Sequence, residues 1–290
     1  MIEFLRNELE RWVRKFRVPR CPVPFIVVFR ERSGSSYLCS VLRNHPQITC
    51  RSEDFHDAFS GVIDNPEARE DPKNLRRRIQ NFDGSRIEEA TRKDVIGHMY
   101  DIFSFPTEAC GFKLKYRIQF DLFPEILAEL KHIPNMRLIV LSRRNLIKQA
   151  VSRQNLPRVE ARAGGANLVN ANDSEPVALP RFQLDVESAV KYARNSSQQQ
   201  ADFEDSVKQL TGKSGIPTMD VDYSELLKDH DRTIQRILEF LDVDAGQSLD
   251  SREFQKATPD RLSDAITNYD ELLKVVQGTE FLPMLEDEDV

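Results

Sequence analysis

FIVVFRERSGSSYL, residues 25–38, is the stretch that decides the fold. Its first five residues, Phe25–Phe29, are apolar and β-branched or aromatic, which is typical of a buried strand. The small residues within Arg32–Ser36 predict a turn, and Tyr37–Arg43 predicts a helix that ends near Pro46. Such a turn can point its backbone N–H groups at one place, where the helix N-terminus adds unsatisfied donors and partial positive charge. The stretch therefore predicts an anion-binding loop, with a plain serine-rich turn as the alternative that spacing alone leaves open.

The side chains of this loop favour the anion site. Arg32 supplies charge and a bidentate fork, Gly34 lets the backbone turn, and hydroxyl groups come from Ser33, Ser35 and Ser36. A nucleotide triphosphatase would need the pattern G-x-x-x-x-G-K-[ST], and no lysine follows Gly34. The loop is therefore predicted to bind an anion without the usual nucleotide-triphosphatase lysine.

A second triplet, Gly212-Lys213-Ser214, has the last three letters of that pattern. Position 207 is Val, where the pattern needs its first glycine, and the triplet closes a helical stretch instead of following a strand. We interpret it as a helix C-cap, in which Gly212 and Gly215 end the helix.

Strands alternate with helices along the rest of the chain, which predicts a parallel sheet covered on both faces. The further predicted strands are Cys110–Leu114, Arg137–Ser142 and Pro217–Val221. The further predicted helices are Leu122–His132, Leu146–Gln154, Phe182–Leu210, Asp231–Leu241 and Leu272–Val276. We therefore expect an α/β fold: a single P-loop-like domain over residues 1–290, with a central parallel sheet flanked by helices and a helical or irregular substrate-binding insertion.

Four segments lie outside this alternation. Residues 1–20 predict an N-terminal helix stopped by prolines, and Asp57–Ile96 predicts a peripheral helical region. Residues 156–181 are rich in Gly, Pro and Asn and predict a long irregular loop, which we expect to shape the acceptor pocket or to form a lid. Residues 286–290 are acidic and predict a frayed tail.

A second basic motif follows the predicted strand Arg137–Ser142. Arg144 stands at the end of that strand, and Ser152 lies eight residues further on, about two helical turns away. Because ligands of parallel sheets bind at the carboxyl ends of the strands, an arginine and a hydroxyl there could converge on a second phosphate. Two anion sites on one sheet edge predict a ligand with phosphate groups at both ends.

Composition limits the partners. A net charge of −6 excludes a surface built to coat nucleic acid. No run of 18 apolar residues predicts a membrane span, and the charged N-terminus does not resemble a signal peptide. The four cysteines form no C-x-x-C pair and the histidines do not cluster, so we expect neither a metal site nor disulfides, and we expect a reducing, cytoplasmic location.

These motifs resemble those of the sulfotransferase family. The 5'-phosphosulfate loop of the family's carbohydrate and lipid branches is R-S-G-S-[ST], as in Arg32–Ser36. The family's 3'-phosphate motif runs from an arginine at a strand end to a serine eight residues later, as from Arg144 to Ser152. The family's R-D-P opening is replaced by Arg144-Asn145-Leu146, which looks closest to the bacterial trehalose-type and nodulation-type carbohydrate branch. The segment at Tyr223 is similar to the family's Y-E-x-L, with Ser224 in place of the glutamate. The resemblance covers residues 25–45, 110–155 and 217–242.

The resemblance implies a reaction and a donor. It implies transfer of a sulfuryl group from 3'-phosphoadenosine 5'-phosphosulfate (PAPS), leaving 3'-phosphoadenosine 5'-phosphate (PAP), to a hydroxyl group of a carbohydrate, a glycolipid or another small acceptor. The donor's 5' end would lie on Arg32–Ser36, its 3'-phosphate on Arg144 and Ser152, and its adenine near Tyr223. No metal is expected, and a homodimer is left open.

Three residues are the candidates for catalysis. Arg32 occupies the place of the catalytic lysine of the family's cytosolic branch and would stabilise the sulfuryl group. Glu53 resembles a family glutamate at a similar distance from the loop and would act as the base, although it could also cap a helix after Ser52. His56 and His98 are rival bases.

Lys113 is the third catalytic candidate. Strand alternation would place Lys113 and Lys115 on one face, where two buried ammonium groups need anionic partners. The alternative is that this segment is an edge strand whose lysines face water.

Two other functions stay open on the sequence alone. A nucleotide kinase-like phosphotransferase would share a phosphate loop but would need Mg²⁺ and a G-K-[ST] signature. A non-catalytic nucleotide-binding module would keep Arg144 and Ser152 and would tolerate the loss of Glu53.

Overall fold

The computed structural model describes residues 19–53, 96–116, 124–163, 168–169, 179–246, 249, 254–255, 258–259 and 261–286. The predicted N-terminal helix up to residue 18, most of the segment Asp57–Ile96 with His56 before it, and the last four residues of the predicted tail lie outside the described residues.

The core of the fold is a five-stranded parallel sheet with the order β2-β3-β1-β4-β6. Its strands are β1 (Val23–Phe29), β2 (Ile48–Arg51), β3 (Ala109–Lys115), β4 (Arg137–Ser142) and β6 (Thr218–Asp222). Two short antiparallel strands, β5 (Leu168–Val169) and β7 (Phe254–Gln255), pair apart from this sheet. All seven residues of β1 are buried, as a continuous apolar run at the centre of a parallel sheet requires.

Helices lie on both faces of the sheet. In chain order they are α1 (Ser35–Arg43), α2 (96–102), α3 (Pro124–Leu130), α4 (Leu146–Ala163), α5 (Val186–Ser214), α6 (Tyr223–Lys228), α7 (His230–Phe240), α8 (Leu262–Ala265), α9 (Tyr269–Val276) and α10 (Pro283–Glu286).

Alternate side chains of β1 divide the core in two. Ile26 and Val28 enter an apolar cluster with residues of α2, α3 and α5, such as Phe203. Val27 and Phe29 enter a second cluster with residues of α1, α6 and α7. A third cluster joins the first turns of α4 to α5 and the C-terminal helices. The predicted P-loop-like α/β fold, a central parallel sheet flanked by helices, is confirmed.

The helix α4 corrects one prediction. It runs from Leu146 to Ala163 through Pro157, so the first eight residues of the predicted irregular loop 156–181 are helical. Tertiary contacts outweigh the proline: Val159 is fully buried, and the Arg158 guanidinium lies 5.1 Å from the centre of the Phe182 ring.

Two further boundaries differ from the predictions. The strand β2 was not predicted, because four residues of mixed polarity carry a weak pattern and only pairing with β3 defines them. Gly212 lies inside α5, and Gly215 alone caps it, with a left-handed φ of 67°. The triplet Gly212-Lys213-Ser214 thus closes a helix, as predicted.

Gly111 yields a test of the sheet packing. A Cβ atom at Gly111 would overlap the carbonyl oxygen and the ring of Phe25, whereas a Cβ atom at Gly212 would meet open space. We expect Gly111→Ala to lower the free energy of unfolding by about 1–3 kcal/mol. The matched control, Gly212→Ala in α5, should raise it by about 0.5–1 kcal/mol. Urea unfolding midpoints measure both, and equal stability of Gly111→Ala and wild type would contradict the packing.

Candidate active site

The loop between β1 and α1 has a backbone suited to an anion. Arg32 and Gly34 both have left-handed φ angles, 58° and 87°. The first backbone donation inside α1 is from Leu38 N–H to the Gly34 carbonyl, 3.1 Å apart, so the amides of its first turn have no helical acceptor. Ser33 is 1% exposed, and within the described part of the chain its Oγ has no hydrogen-bond partner. Unsatisfied donors and a buried hydroxyl therefore meet at this loop.

Arg32 connects this loop to the second basic motif. Its Nε and Nη2 atoms donate to Ser152 Oγ at 3.1 and 2.9 Å. Burial, and then the nearby positive charge of Arg143, lower the pKa of the Arg32 guanidinium below its ordinary value. The structure thus brings together Arg32 and Ser152, which lie 120 residues apart.

Arg144 stands at the mouth of the site. Its side chain is 83% exposed, and its Nε lies 3.3 Å from Asp222 Oδ2. Asp222 is buried and caps α6 by accepting from the Ser224 N–H at 2.9 Å. The structure therefore places Arg144 against Asp222 and Ser152 against Arg32, and the convergence of Arg144 and Ser152 on one phosphate stays a prediction.

Tyr223 forms a wall of the loop. A Cβ atom at Gly34 would overlap the Tyr223 ring, so the glycine is needed for this close approach as well as for its φ angle. The Arg143 guanidinium lies 4.9 Å from the centre of the same ring and donates from Nη1 to the Arg32 carbonyl at 3.4 Å. Arg143 is therefore a residue of the site that the sequence analysis did not single out.

Lys113 and Lys115 both reach Glu53. Lys113 Nζ lies 3.4 Å from Glu53 Oε1 and donates to Ser36 Oγ at 2.9 Å, while Lys115 Nζ lies 2.9 Å from Glu53 Oε2. The strand β3 lies between β1 and β2, and Lys113 is 3% exposed, so the alternative of a water-facing edge strand is wrong. Lys113 and Lys115 therefore lie on one face of the strand, as expected, and their anionic partner is Glu53.

This arrangement sets the charge of Glu53. Burial raises the pKa of the Glu53 carboxyl, but the ammonium groups of Lys115 and Lys113 outweigh it and bring the pKa below its usual value. Glu53 is therefore ionised and paired with two cations, which makes it a weak proton acceptor.

The rival base His98 belongs to α2, whose Met99 packs into the cluster on the opposite face of the sheet from Lys113. His56 lies outside the described residues. Glu53 contacts the catalytic candidate Lys113 directly.

Comparison with known proteins identifies the family. The model of the sulfotransferase family matches residues 24–247, more than three quarters of the chain. The chain belongs to the sulfotransferase family. The prediction that it is an enzyme of sulfuryl transfer is thereby confirmed, and the matched range includes Arg32, Glu53, Lys113, Arg144 and Tyr223. No curated protein matches the chain.

Solved structures of sulfotransferases are distantly similar to this one. The sulfotransferase of Alicyclobacillus acidocaldarius is 16% identical with a TM-score of 0.46, over 93% of this chain and 95% of that one. The sulfotransferase STF9 of Mycobacterium avium is 13% identical with a TM-score of 0.39, over 94% and 79%. Mouse sulfotransferase SULT7A1, complexed with PAP, is 13% identical with a TM-score of 0.40, over 93% and 89%. Because these TM-scores are below 0.5, family membership rests on the sequence match.

Two further findings on this sulfotransferase concern membrane spans and metal ligands. None of the helices in the described ranges is both long and apolar enough to cross a membrane. Within those same ranges, no three or more His, Cys, Asp or Glu side chains group as metal ligands would.

The ion pairs of Glu53 predict a pH-dependent stability. A carboxyl group with a lowered pKa stabilises the folded chain when ionised, and that stabilisation is lost as the pH falls through the lowered pKa. We expect Glu53→Gln to lower the free energy of unfolding at pH 7 by about 1–2 kcal/mol, since Lys113 stays buried without its carboxylate. The difference from wild type should shrink below about pH 4.

Urea unfolding at several pH values measures this difference. Asp205→Asn is the control, because the pair Asp205–Lys208 is exposed on both sides and should contribute nothing measurable. A difference between Glu53→Gln and wild type that does not change with pH would show that the ion pairs do not stabilise the fold.

Proposed function

We propose that this sulfotransferase moves the sulfuryl group of PAPS to a hydroxyl group of a small acceptor. A carbohydrate or a glycolipid is the first candidate for this acceptor. One observation carries the proposal: the half-buried Arg32 of the loop and the buried Lys113 beside it each donate to a hydroxyl group, Ser152 for Arg32 and Ser36 for Lys113. Buried cations at a helix N-terminus attract an anion, and the donor's phosphosulfate supplies it.

The donor would bind along the carboxyl edge of the sheet. The amides and hydroxyls of Arg32–Ser36 hold the 5'-phosphosulfate, and Arg144 with Ser152 holds the 3'-phosphate. Tyr223, which walls the loop, would border the nucleoside. PAP in the mouse SULT7A1 structure is a ligand of this kind, although that structure is only distantly similar.

Transfer then needs charge stabilisation and a base. The acceptor oxygen forms a bond to sulfur, the bond from sulfur to the bridging oxygen breaks, and PAP leaves with that electron pair. Arg32 and Lys113 lie where charge would grow on the sulfuryl and bridging oxygens. Glu53 accepts the proton of the acceptor hydroxyl, so atoms and charges balance without a further reactant.

The choice of acceptor rests on resemblance alone. Arg144-Asn145-Leu146 looks like the corresponding motif of the carbohydrate branch of the family, and this supports a sugar hydroxyl as the acceptor. The predicted acceptor loop 156–181 is helical up to residue 163, so its first two turns extend α4. A cytoplasmic location and a homodimer stay predictions.

The decisive experiment combines binding and transfer. We expect calorimetry to show that PAP binds the chain, and sulfur-labelled PAPS with a panel of sugars, glycolipids and small alcohols to yield a product with the mass of one added sulfuryl group. Glu53→Gln should bind PAP at least as tightly as wild type does and lose at least about a hundredfold in turnover. Absence of PAP binding would overturn the proposal, whereas binding with equal turnover of both proteins would remove Glu53 as the base.

Arg144 yields a separate test of how the donor lies. We expect Arg144→Met to weaken binding of PAP by about 10- to 100-fold, because a charge-assisted contact to the 3'-phosphate is lost. Binding of adenosine 5'-phosphosulfate, which has no 3'-phosphate, should not change.

Arg232→Met is the matched control, because Arg232 is equally exposed and pairs with Asp229 at the start of α7. If Arg144→Met weakened the binding of PAP and of adenosine 5'-phosphosulfate equally, Arg144 would not contact the 3'-phosphate.

A further inference from the structure

Two side chains of the second basic motif hold backbone carbonyls of the phosphate loop. Gln149, in the first turn of α4, donates from Nε2 to the Glu31 carbonyl at 2.8 Å. Arg143 donates from Nη1 to the Arg32 carbonyl at 3.4 Å. Glu31 and Arg32 are consecutive, so two neighbouring peptide groups are held by residues that are close together in sequence.

The geometry of a peptide group gives these contacts a consequence. In a trans peptide the C=O and the following N–H point in opposite directions, and the chain has no cis peptide among the described residues. Holding the Glu31 carbonyl towards Gln149 directs the Arg32 N–H away from α4. Holding the Arg32 carbonyl towards Arg143 directs the Ser33 N–H away from Arg143. These are two of the amides that an anion nest needs.

Burial and backbone conformation show that Gln149 acts on the loop. Gln149 is 1% exposed, and its own N–H donates to the Asn145 carbonyl at 3.1 Å, which fixes the base of the side chain. The Arg32 backbone it adjoins has a φ of 58°, an unfavourable value for a residue with a side chain. Such a backbone persists only when surrounding contacts hold it. Gln149 and Arg143 supply two of these contacts at the backbone itself, beside the side-chain contact of Arg32 with Ser152.

We propose that Gln149 is a positioning residue for the phosphosulfate end of the donor, acting with Arg143 by turning the Glu31 and Arg32 carbonyls outward so that the next two amides face the ligand. This inference rests on the proposed donor. Gln149 does not touch the ligand itself; it orients backbone donors that do.

The test separates the two ends of the ligand. In Gln149→Met the side chain keeps its length and loses its donor. We expect calorimetry to show that PAP and adenosine 5'-phosphate bind about tenfold more weakly than to wild type, because one or two amide donors are no longer oriented. Adenosine 3'-phosphate, which has no group on the loop, should bind equally to both proteins.

Gln154→Met is the matched control. Gln154 is on the same helix and donates to the Asp185 carbonyl at 2.8 Å, away from the loop. We expect this variant to bind all three nucleotides as wild type does.

Three outcomes overturn the inference. If Gln149→Met bound adenosine 3'-phosphate as weakly as it binds PAP, Gln149 would only support the fold. If Gln149→Met bound PAP as tightly as wild type does, the loop would keep its shape without Gln149.

For the wild-type chain, NMR should show downfield shifts of the Arg32 and Ser33 amides on addition of PAP but not of adenosine 3'-phosphate. This measurement stands even if Gln149→Met fails to fold, and absence of the shifts would also overturn the inference. Failure of wild type to bind PAP would instead remove the proposed function.

Discussion

The burial of positive charge at one edge of the sheet is the constraint on which the rest of the structure depends. Arg32, Lys113 and Arg143 are largely removed from water, and a buried cation is unfavourable unless it meets an anion or several acceptors. Each has a partner in the described chain: Ser152 for Arg32, Ser36 with Glu53 for Lys113, and the Tyr223 ring with a loop carbonyl for Arg143. Two of these partners, Ser152 and Ser36, are uncharged hydroxyl groups, which an anionic ligand would replace favourably.

The parallel sheet makes this concentration of charge possible. The strands β1, β3 and β4 are adjacent, and their carboxyl ends lie at one edge. Arg32 follows β1, Lys113 and Lys115 are at the end of β3, and Arg143 follows β4. Residues more than 100 positions apart thus meet because the strands that carry them pair in register, as Val27 does with Lys113 and with Ile139.

The sequence was sufficient for the features that depend on local pattern. Periodicity and residue type predict three features that the structure has. They are the buried strand β1, the turn of small residues after it, and the placement of Lys113 and Lys115 on one face. The strand β2 and the extension of α4 through Pro157 could not be predicted, since both depend on contacts with distant segments. Arg143 and Gln149 were missed for a related reason: their partners are backbone carbonyls of another loop, and such partners leave no signal in residue identity.

The charge balance of the site also connects donor binding to the proposed base. Lys113 is shared between the Glu53 carboxylate and Ser36 of the phosphate loop, so an anion on that loop competes with Glu53 for the same ammonium group. A carboxylate that loses part of one cationic partner becomes a better proton acceptor, because the ion pair was what lowered its pKa. Lys115 Nζ lies 2.9 Å from Glu53 Oε2 and is a second cationic partner. Under the proposed function, binding of the donor would therefore raise the basicity of Glu53, the proposed base, at the step that needs it.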